Sequence, residues 1–226
     1  MVKILERSYS FIQKLGNLFG FNININRKKF HSNPGFTHLT KLQQKNIKNL
    51  KLVLNRENLL KQLPKNRIVA ELGVDIGDFS AKIISLTNPK KIYLIDIWDS
   101  ERYNMNKMNY VKKRFQKEID SGLVIIIRGT SEKVLKNFEN GYFDWVYIDT
   151  SHSYKQTVKE LELCRMKVKD GGIITGHDYC RGNISQALAY GVVQAVNQFC
   201  IKFVWEFIYL THETERNLSF AIKKIR

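Results

Sequence analysis

Short apolar runs alternate with amphipathic stretches from residue 68 onward. Five runs have the length and composition of buried strands: IVAEL at 68–72, KIYLIDIW at 91–98, LVIIIRG at 123–129, DWVYID at 144–149 and GGIITGHD at 171–178. The stretches between them repeat apolar residues with helical spacing, over 78–86, 101–119, 131–138 and 153–168. Strands that alternate with helices form mostly parallel sheets covered on both faces, so the pattern predicts a doubly wound α/β fold.

The C-terminal part of the chain changes this pattern. Residues 184–199 predict one more helix, and the runs 203–210 and 218–224 predict an antiparallel pair of strands that closes the sheet. The whole prediction is a seven-stranded, mostly parallel sheet with an antiparallel closing strand, formed by residues 66–226.

Residues 1–65 predict a basic helical extension. Residues 4–19 have one apolar face, residues 22–35 have the composition of a linker, and a second helix over 40–63 is stopped by Pro64. The first helix could lie on an anionic membrane surface, although packing on the domain or on a second copy in a homodimer is the more frequent arrangement.

Charge is concentrated in the same extension. The chain has 37 Lys and Arg against 21 Asp and Glu, a net charge of +16. Residues 1–67 hold 14 of the basic residues and two of the acidic ones, which leaves 23 against 19 for the rest. Nucleic acid or another polyanion is therefore one predicted partner class, and solvated lysine-rich helices are the alternative.

Other classes of protein are disfavoured. No run approaches 18 uncharged apolar residues, and the first thirty residues lack a compact apolar segment with a cleavage site, so the sequence predicts a cytoplasmic protein. The three cysteines lack CxxC spacing, which predicts free structural thiols.

Polar residues gather where the apolar runs stop, which is where open α/β sheets bind ligands. Glu71-Leu-Gly-Val-Asp-Ile-Gly follows the first run, and its glycines permit a tight turn beside a ligand. Asp96 ends the second run, where an acid can accept both hydroxyls of a ribose.

Five ordered motifs give a specific resemblance. They are Glu71-Leu-Gly-Val-Asp-Ile-Gly, Tyr93-Leu-Ile-Asp-Ile-Trp, Phe143-Asp-Trp-Val-Tyr-Ile-Asp-Thr-Ser-His-Ser-Tyr, Gly171-Gly-Ile-Ile-Thr-Gly-His-Asp-Tyr and Gly191-Val-Val-Gln-Ala-Val-Asn-Gln-Phe. Residues 66–224 thereby resemble the class I S-adenosylmethionine-dependent methyltransferases, which implies a Rossmann-like sheet. The branch they look most similar to contains macrocin O-methyltransferase and the cephalosporin hydroxylase proteins.

The resemblance implies a cofactor site for S-adenosylmethionine. Its residues would surround the methionine part, the ribose and the adenine: Glu71, Gly73, Val74, Asp75, Gly77, Asp96, Ile97, Trp98, Thr130, Ser131 and Asp149. Asp75 stands where the commonest pattern has a glycine.

A second group of residues lies at the ends of the fourth and fifth runs. Asp149 and His152 are predicted to be catalytic, with the imidazole as the base that takes the proton of an attacking hydroxyl. Asp149, His177 and Asp178 could instead hold Mg²⁺ or another divalent metal. The resemblance implies a metal at Asp149 and Asp178 in some relatives, where an acid often occupies the position of His177. In the alternative interpretations, His177 is a structural residue and His152 simply begins a helix.

The leading functional prediction is methyl transfer to a hydroxyl of a small molecule or glycan unit. A nicotinamide-dependent oxidoreductase fits the Gly73–Gly77 spacing poorly. An RNA methyltransferase is favoured by the charge, but Asp149-Thr-Ser-His replaces the Asp/Asn-Pro-Pro-aromatic segment typical of base amino methylation.

Overall fold

A computed structural model describes residues 40–183, 188–213 and 217–225, all of which belong to one compact unit. The helix predicted over residues 4–19 and the linker predicted over 22–35 lie outside the described residues. The structure therefore bears on the predicted extension only from Thr40 onward.

Ten strands are described, and eight of them form one sheet. In chain order they are β1 (Lys51–Val53), β2 (Ile68–Leu72), β3 (Lys91–Asp96), β4 (Val124–Arg128), β5 (Phe143–Ile148), β6 (Val168–Gly176), β7 (Gly182–Asn183), β8 (Leu188–Ala189), β9 (Trp205–Thr211) and β10 (Phe220–Lys224). The order in the sheet is β1-β9-β10-β6-β5-β2-β3-β4, and only β10 runs antiparallel to its neighbours. Strands β7 and β8 pair separately.

Seven α-helices and one short 3₁₀ helix, Gln44–Asn46, connect the described strands. The α-helices are α1 (Arg56–Gln62), α2 (Asp78–Thr87), α3 (Met105–Arg114), α4 (Gln116–Asp120), α5 (Ser131–Lys136), α6 (Tyr154–Lys167) and α7 (Val192–Phe203). Most begin at a polar cap: the side chains of Asn55, Asn104, Thr130 and Ser153 each accept a backbone N–H of the first turn.

The mixed, mostly parallel α/β fold is confirmed. Because side chains alternate across a strand, β2 places Ala70 and Leu72 in one apolar cluster and Val69 in the other. The first cluster includes residues of α6 and α7, and the second includes residues of α1, α2 and α3. Helices therefore cover both faces of the sheet, as the doubly wound prediction requires.

Two predicted elements are wrong in detail. Residues 40–63 do not form a continuous helix: they contain the 3₁₀ helix, strand β1 and then α1. Strand β1 pairs with β9 and extends the sheet from the predicted seven strands to eight. Of the helix predicted over 184–199, residues 184–187 lie outside the described part, residues 188–189 form β8, which pairs with β7, and the helix begins at Val192.

Two further predictions can be compared with the structure. Cys164, Cys180 and Cys200 are all free, as the sequence predicts. Among the described residues, no helix combines the length and the apolar composition that a membrane span needs.

Candidate functional site

The turn between β2 and α2, residues 73–77, is shaped by two glycines with positive φ. At Gly73, where φ is +86°, an added Cβ would lie 1.9 Å from the Asp149 carbonyl oxygen. At Gly77, where φ is +78°, it would lie 2.7 Å from the Phe115 ring. Both positions require glycine, and Gly73 brings this turn, which we call the cofactor turn, against the end of β5.

Asp96, at the end of β3, holds the cofactor turn in place. Its Oδ2 accepts the backbone N–H groups of Val74 at 2.7 Å and Asp75 at 3.0 Å, and its Oδ1 accepts that of Trp98 at 3.3 Å. The carboxylate that is predicted to bind a ribose is therefore also the anchor of the turn.

Glu71 is buried just before the turn and accepts a hydrogen bond from the Ser80 hydroxyl. Burial raises the pKa of this carboxyl to about 8, although the Ser80 hydrogen bond opposes the shift. Glu71 is therefore mostly protonated at neutral pH, so the turn does not carry its full formal negative charge.

The predicted adenine side has one buried and one exposed residue. Trp98 is fully buried, and its indole N–H donates to the Asp75 carbonyl at 3.0 Å, whereas Ile97 is 37% exposed. Trp98 also lines a cavity of about 460 Å³ with Asp99, Ser100, Asn104, Met105, Asn106 and Arg128. Lys107 of α3 forms an ion pair with Asp75, which ties α3 to the cofactor turn.

Thr130 and Ser131 have structural partners. Thr130 caps α5 by accepting the N–H of Lys133, and the Ser131 hydroxyl donates to Glu160 of α6 at 2.5 Å. Glu160 is fully buried and also accepts the Thr150 hydroxyl at 2.7 Å. Sequence analysis missed Glu160, because a single acid within an amphipathic helix gives no signal of burial.

The predicted catalytic and metal residues do come together at the ends of β5 and β6. His152 Nε2 lies 2.6 Å from Asp178 Oδ2 and 3.4 Å from Asp149 Oδ1. His177 Nδ1 lies 3.3 Å from Asp178 Oδ2 and 3.8 Å from Asp149 Oδ2. Tyr190 packs on His152 with 4.7 Å between ring centroids. We call these five residues the acceptor cluster.

The two carboxylates determine the protonation of His152. Burial disfavours the charged imidazole, but the Asp149 and Asp178 carboxylates, which accept hydrogen bonds from the ring, outweigh it and raise the pKa of His152 to about 9. Burial also disfavours the charged form of Asp178, yet its contacts with His152 and His177 lower the pKa of that carboxyl well below its ordinary value. The contacts with the two carboxylates therefore favour the protonated imidazole at neutral pH, so His152 must lose that proton before it can act as the predicted base.

The acceptor cluster has a donor set that fits a divalent metal. One ligand atom each from Asp149, His152 and Asp178 lie within 4.8 Å of one another. His177, which sequence analysis named as a ligand, is not in this group, and its Nε2 is buried without a hydrogen-bond partner among the described residues. His152 therefore lies closer to both carboxylates than His177 does, and the metal stays a prediction.

Arg56, at the start of α1, is a second residue that sequence analysis missed. Its Nη1 lies 3.9 Å from Asp149 Oδ2, and its guanidinium stacks over the Phe79 ring at 4.4 Å from the centroid. One arginine within a basic segment is not distinguishable by sequence from its solvated neighbours.

Comparisons with known proteins agree with this architecture. The family described as "Methyltransferase domain" matches residues 70–179. No curated protein matches the chain.

Solved structures share the fold at low sequence identity. A proposed rRNA methylase from Clostridium thermocellum is 17% identical. The match covers 76% of this chain and 99% of that one, with a TM-score of 0.55. An S-adenosylmethionine-dependent methyltransferase from Aquifex aeolicus is 13% identical. The match covers 73% of this chain and 86% of that one, with a TM-score of 0.55. A proposed methyltransferase from Streptococcus mutans, solved with S-adenosylhomocysteine, is 14% identical. The match covers 75% of this chain and 96% of that one, with a TM-score of 0.53. Residues 70–179 therefore match a methyltransferase-domain family, and the chain shares the fold of these solved methyltransferases.

Proposed function

We propose that the chain transfers a methyl group from S-adenosylmethionine to a hydroxyl of a small molecule or glycan unit. The observation that carries this proposal is the acceptor cluster beside the cofactor turn, where Gly73 abuts Asp149. A methyl group held over the turn would face an imidazole flanked by two carboxylates. The macrocin O-methyltransferase branch is part of the same proposal, on the strength of the five motifs.

The step needs a base and an in-line arrangement. The acceptor oxygen attacks the sulfonium methyl, the new O–C bond forms as the C–S bond breaks, and sulfur takes the bonding pair to leave S-adenosylhomocysteine. The acceptor proton passes to neutral His152, which Asp149 and Asp178 stabilise as the imidazolium. Because the pKa of His152 is raised to about 9, we expect turnover to rise with pH between about 7 and 9.

A divalent metal is the alternative to the imidazole base. Asp149, His152 and Asp178 would hold it, and a bound metal would lower the pKa of the acceptor hydroxyl. The two roles are exclusive for His152, because one nitrogen lone pair cannot bind a metal and a proton together. This makes the two chemistries separable.

The experiment measures S-adenosylhomocysteine formation with a hydroxyl library, in the wild type, in His152→Ala and in a control, His212→Ala, which removes an exposed imidazole. If His152 is the base, its loss should lower turnover by about 10² to 10⁴ while cofactor binding stays nearly intact. If a metal acts instead, a chelator should abolish wild-type activity and Mg²⁺ or Mn²⁺ should restore it. Full activity in His152→Ala would exclude the base, and indifference of the wild type to chelator would exclude the metal.

RNA is the second candidate acceptor, because residues 1–67 carry most of the net positive charge and one fold relative is described as a proposed rRNA methylase. The same assay with RNA in place of the library tests it. Methylation of RNA whose rate falls steeply with salt would favour this alternative, since ion release weakens phosphate contacts.

A further inference from the structure

Arg56 lies outside residues 70–179, the part that the methyltransferase family covers, yet its side chain reaches the site. The side chain is 18% exposed, and Nε is buried without a hydrogen-bond partner among the described residues. Its ion pair with Asp149 spans 3.9 Å, which is too long for a hydrogen bond. A buried guanidinium with donors to spare is costly unless an anion binds it.

The backbone of Arg56 is held firmly. Asn55 caps α1 by accepting the N–H of Asn58, and the Arg56 N–H donates to the Glu213 carboxylate, beyond the end of β9. Glu57 of the same helix forms an ion pair with Lys82 of α2. The start of α1 is thus fixed between the C-terminal strands and the helix that follows the cofactor turn.

The cofactor turn has few donors left for an anionic ligand. Four of the five amides in residues 73–77 already donate within the protein, to the Ile95 carbonyl, to the Asp96 carboxylate and to the Val74 carbonyl. The cofactor proposed above carries a carboxylate on its methionine part. With the Asp96 and Asp149 carboxylates nearby, that group needs a cation.

We infer that Arg56 binds the methionine carboxylate of S-adenosylmethionine. This rests on the proposed cofactor and goes beyond it, because it assigns the selectivity for the amino-acid end of the ligand to the segment before β2. Phe79 supports the guanidinium from below and packs on Tyr147, with 4.4 Å between those ring centroids. The Phe79 ring therefore positions Arg56, while its ion-pair partner Asp149 lies too far away for a hydrogen bond.

The test compares three nucleosides by calorimetry. S-adenosylhomocysteine has both the carboxylate and the amine, its decarboxylated analogue keeps only the amine, and 5′-methylthioadenosine has neither. Arg56→Gln should weaken S-adenosylhomocysteine binding roughly tenfold to a hundredfold and leave the other two unchanged. The affinity of Arg56→Lys for S-adenosylhomocysteine should lie between those of the wild type and Arg56→Gln, because an ammonium keeps the charge without the planar guanidinium.

Arg165 provides the matched control. It stacks over Phe203 at 4.3 Å, much as Arg56 stacks over Phe79, but on α6, with an exposed side chain. Arg165→Gln should bind all three nucleosides like the wild type.

The outcomes separate the inference from the proposed function. Equal loss for all three nucleosides in Arg56→Gln would show a structural role and overturn the inference, and so would unchanged S-adenosylhomocysteine binding. Failure of the wild type to bind any of the three would overturn the cofactor assignment itself, and the inference with it.

Discussion

The cofactor turn and the acceptor cluster lie next to each other but are constructed in opposite ways. In the turn, the polar backbone groups are partnered by Asp96 and by neighbouring carbonyls. In the cluster, two imidazoles share the same two carboxylates, and His177 Nε2 is buried without a partner in the described part of the chain. The turn is built to keep one shape, whereas the cluster keeps polar atoms available.

This difference has an energetic meaning. A buried polar group without a partner costs about 1–3 kcal/mol, and a ligand that supplies the partner regains that free energy on binding. We therefore expect changes in the turn to act mainly on folding and cofactor affinity, and changes in the cluster to act mainly on turnover. The turnover assay of His152→Ala tests the cluster, and three variants test the turn, beginning with the largest expected effect.

Gly73→Ala acts where the two regions touch. The new Cβ would meet the Asp149 carbonyl oxygen at 1.9 Å, and φ at +86° is strained for any L side chain, so we expect a loss of about 3 kcal/mol or more of unfolding free energy. Gly122→Ala is the control, since its φ is +74° but no atom lies within 4 Å of its Cβ, and it should lose only about 1 kcal/mol. Urea denaturation measures both. Equal losses would show that backbone strain, and not the close approach to Asp149, requires glycine at residue 73.

Asp96→Ala should weaken the binding of S-adenosylhomocysteine and of 5′-methylthioadenosine alike, by roughly tenfold to 150-fold, because both contain the ribose and both need the anchored turn. Asp120→Ala on α4 removes an exposed carboxylate and serves as the control. Calorimetry gives the affinities. If only the affinity for S-adenosylhomocysteine fell, Asp96 would act on the amino-acid end of the ligand, as Arg56 is inferred to do, and the ribose assignment would be wrong.

Glu71→Gln should change the pH dependence of stability. The pKa of Glu71 is raised by burial to about 8 from an ordinary 4.5, so the folded chain holds a proton that the unfolded chain releases between those values. Stability therefore falls as pH rises through this window, by up to about 1.4 kcal/mol per pH unit. Asp149 and Asp96 add to the shift, while Ser80 and Arg56 oppose it.

The measurement is urea denaturation of the wild type and Glu71→Gln from pH 5 to pH 8. The amide of Glu71→Gln does not titrate, so the unfolding free energy of this variant should depend less on pH than that of the wild type. Parallel profiles would mean that Glu71 is ionised in the folded chain.

Sequence predicted what local pattern determines. The run predicted at 68–72 has the same bounds as β2, and the run predicted at 144–149 differs from β5 (143–148) by one residue at each end. Strand β1 was missed because three residues, Lys51–Val53, are too few to show alternation, and its partner β9 lies far along the chain.

The site shows the same limit. Asp149, His152 and Asp178 could be grouped in advance, since the ends of adjacent parallel strands meet at one edge of the sheet. The sequence could not show which imidazole lies closer to these carboxylates, because His152 and Asp178 depend on positive φ values of 56° and 58° that no pattern of residue types reveals. Arg56 reaches the site through α1, whose position depends on contacts with the C-terminal strands.

The pairing of β1 with β9 also determines when, during synthesis, the start of α1 can be fixed. Lys51 is opposite Tyr209, so at about 5–20 residues per second the ribosome makes the two strands roughly 10 to 30 s apart. For most of that interval, from residue 77 onward, a nascent chain already contains the cofactor turn but not strand β9. The position of Arg56 is therefore fixed only after β9 and Glu213 have been made, and a chain that ends before β9 would lack those contacts.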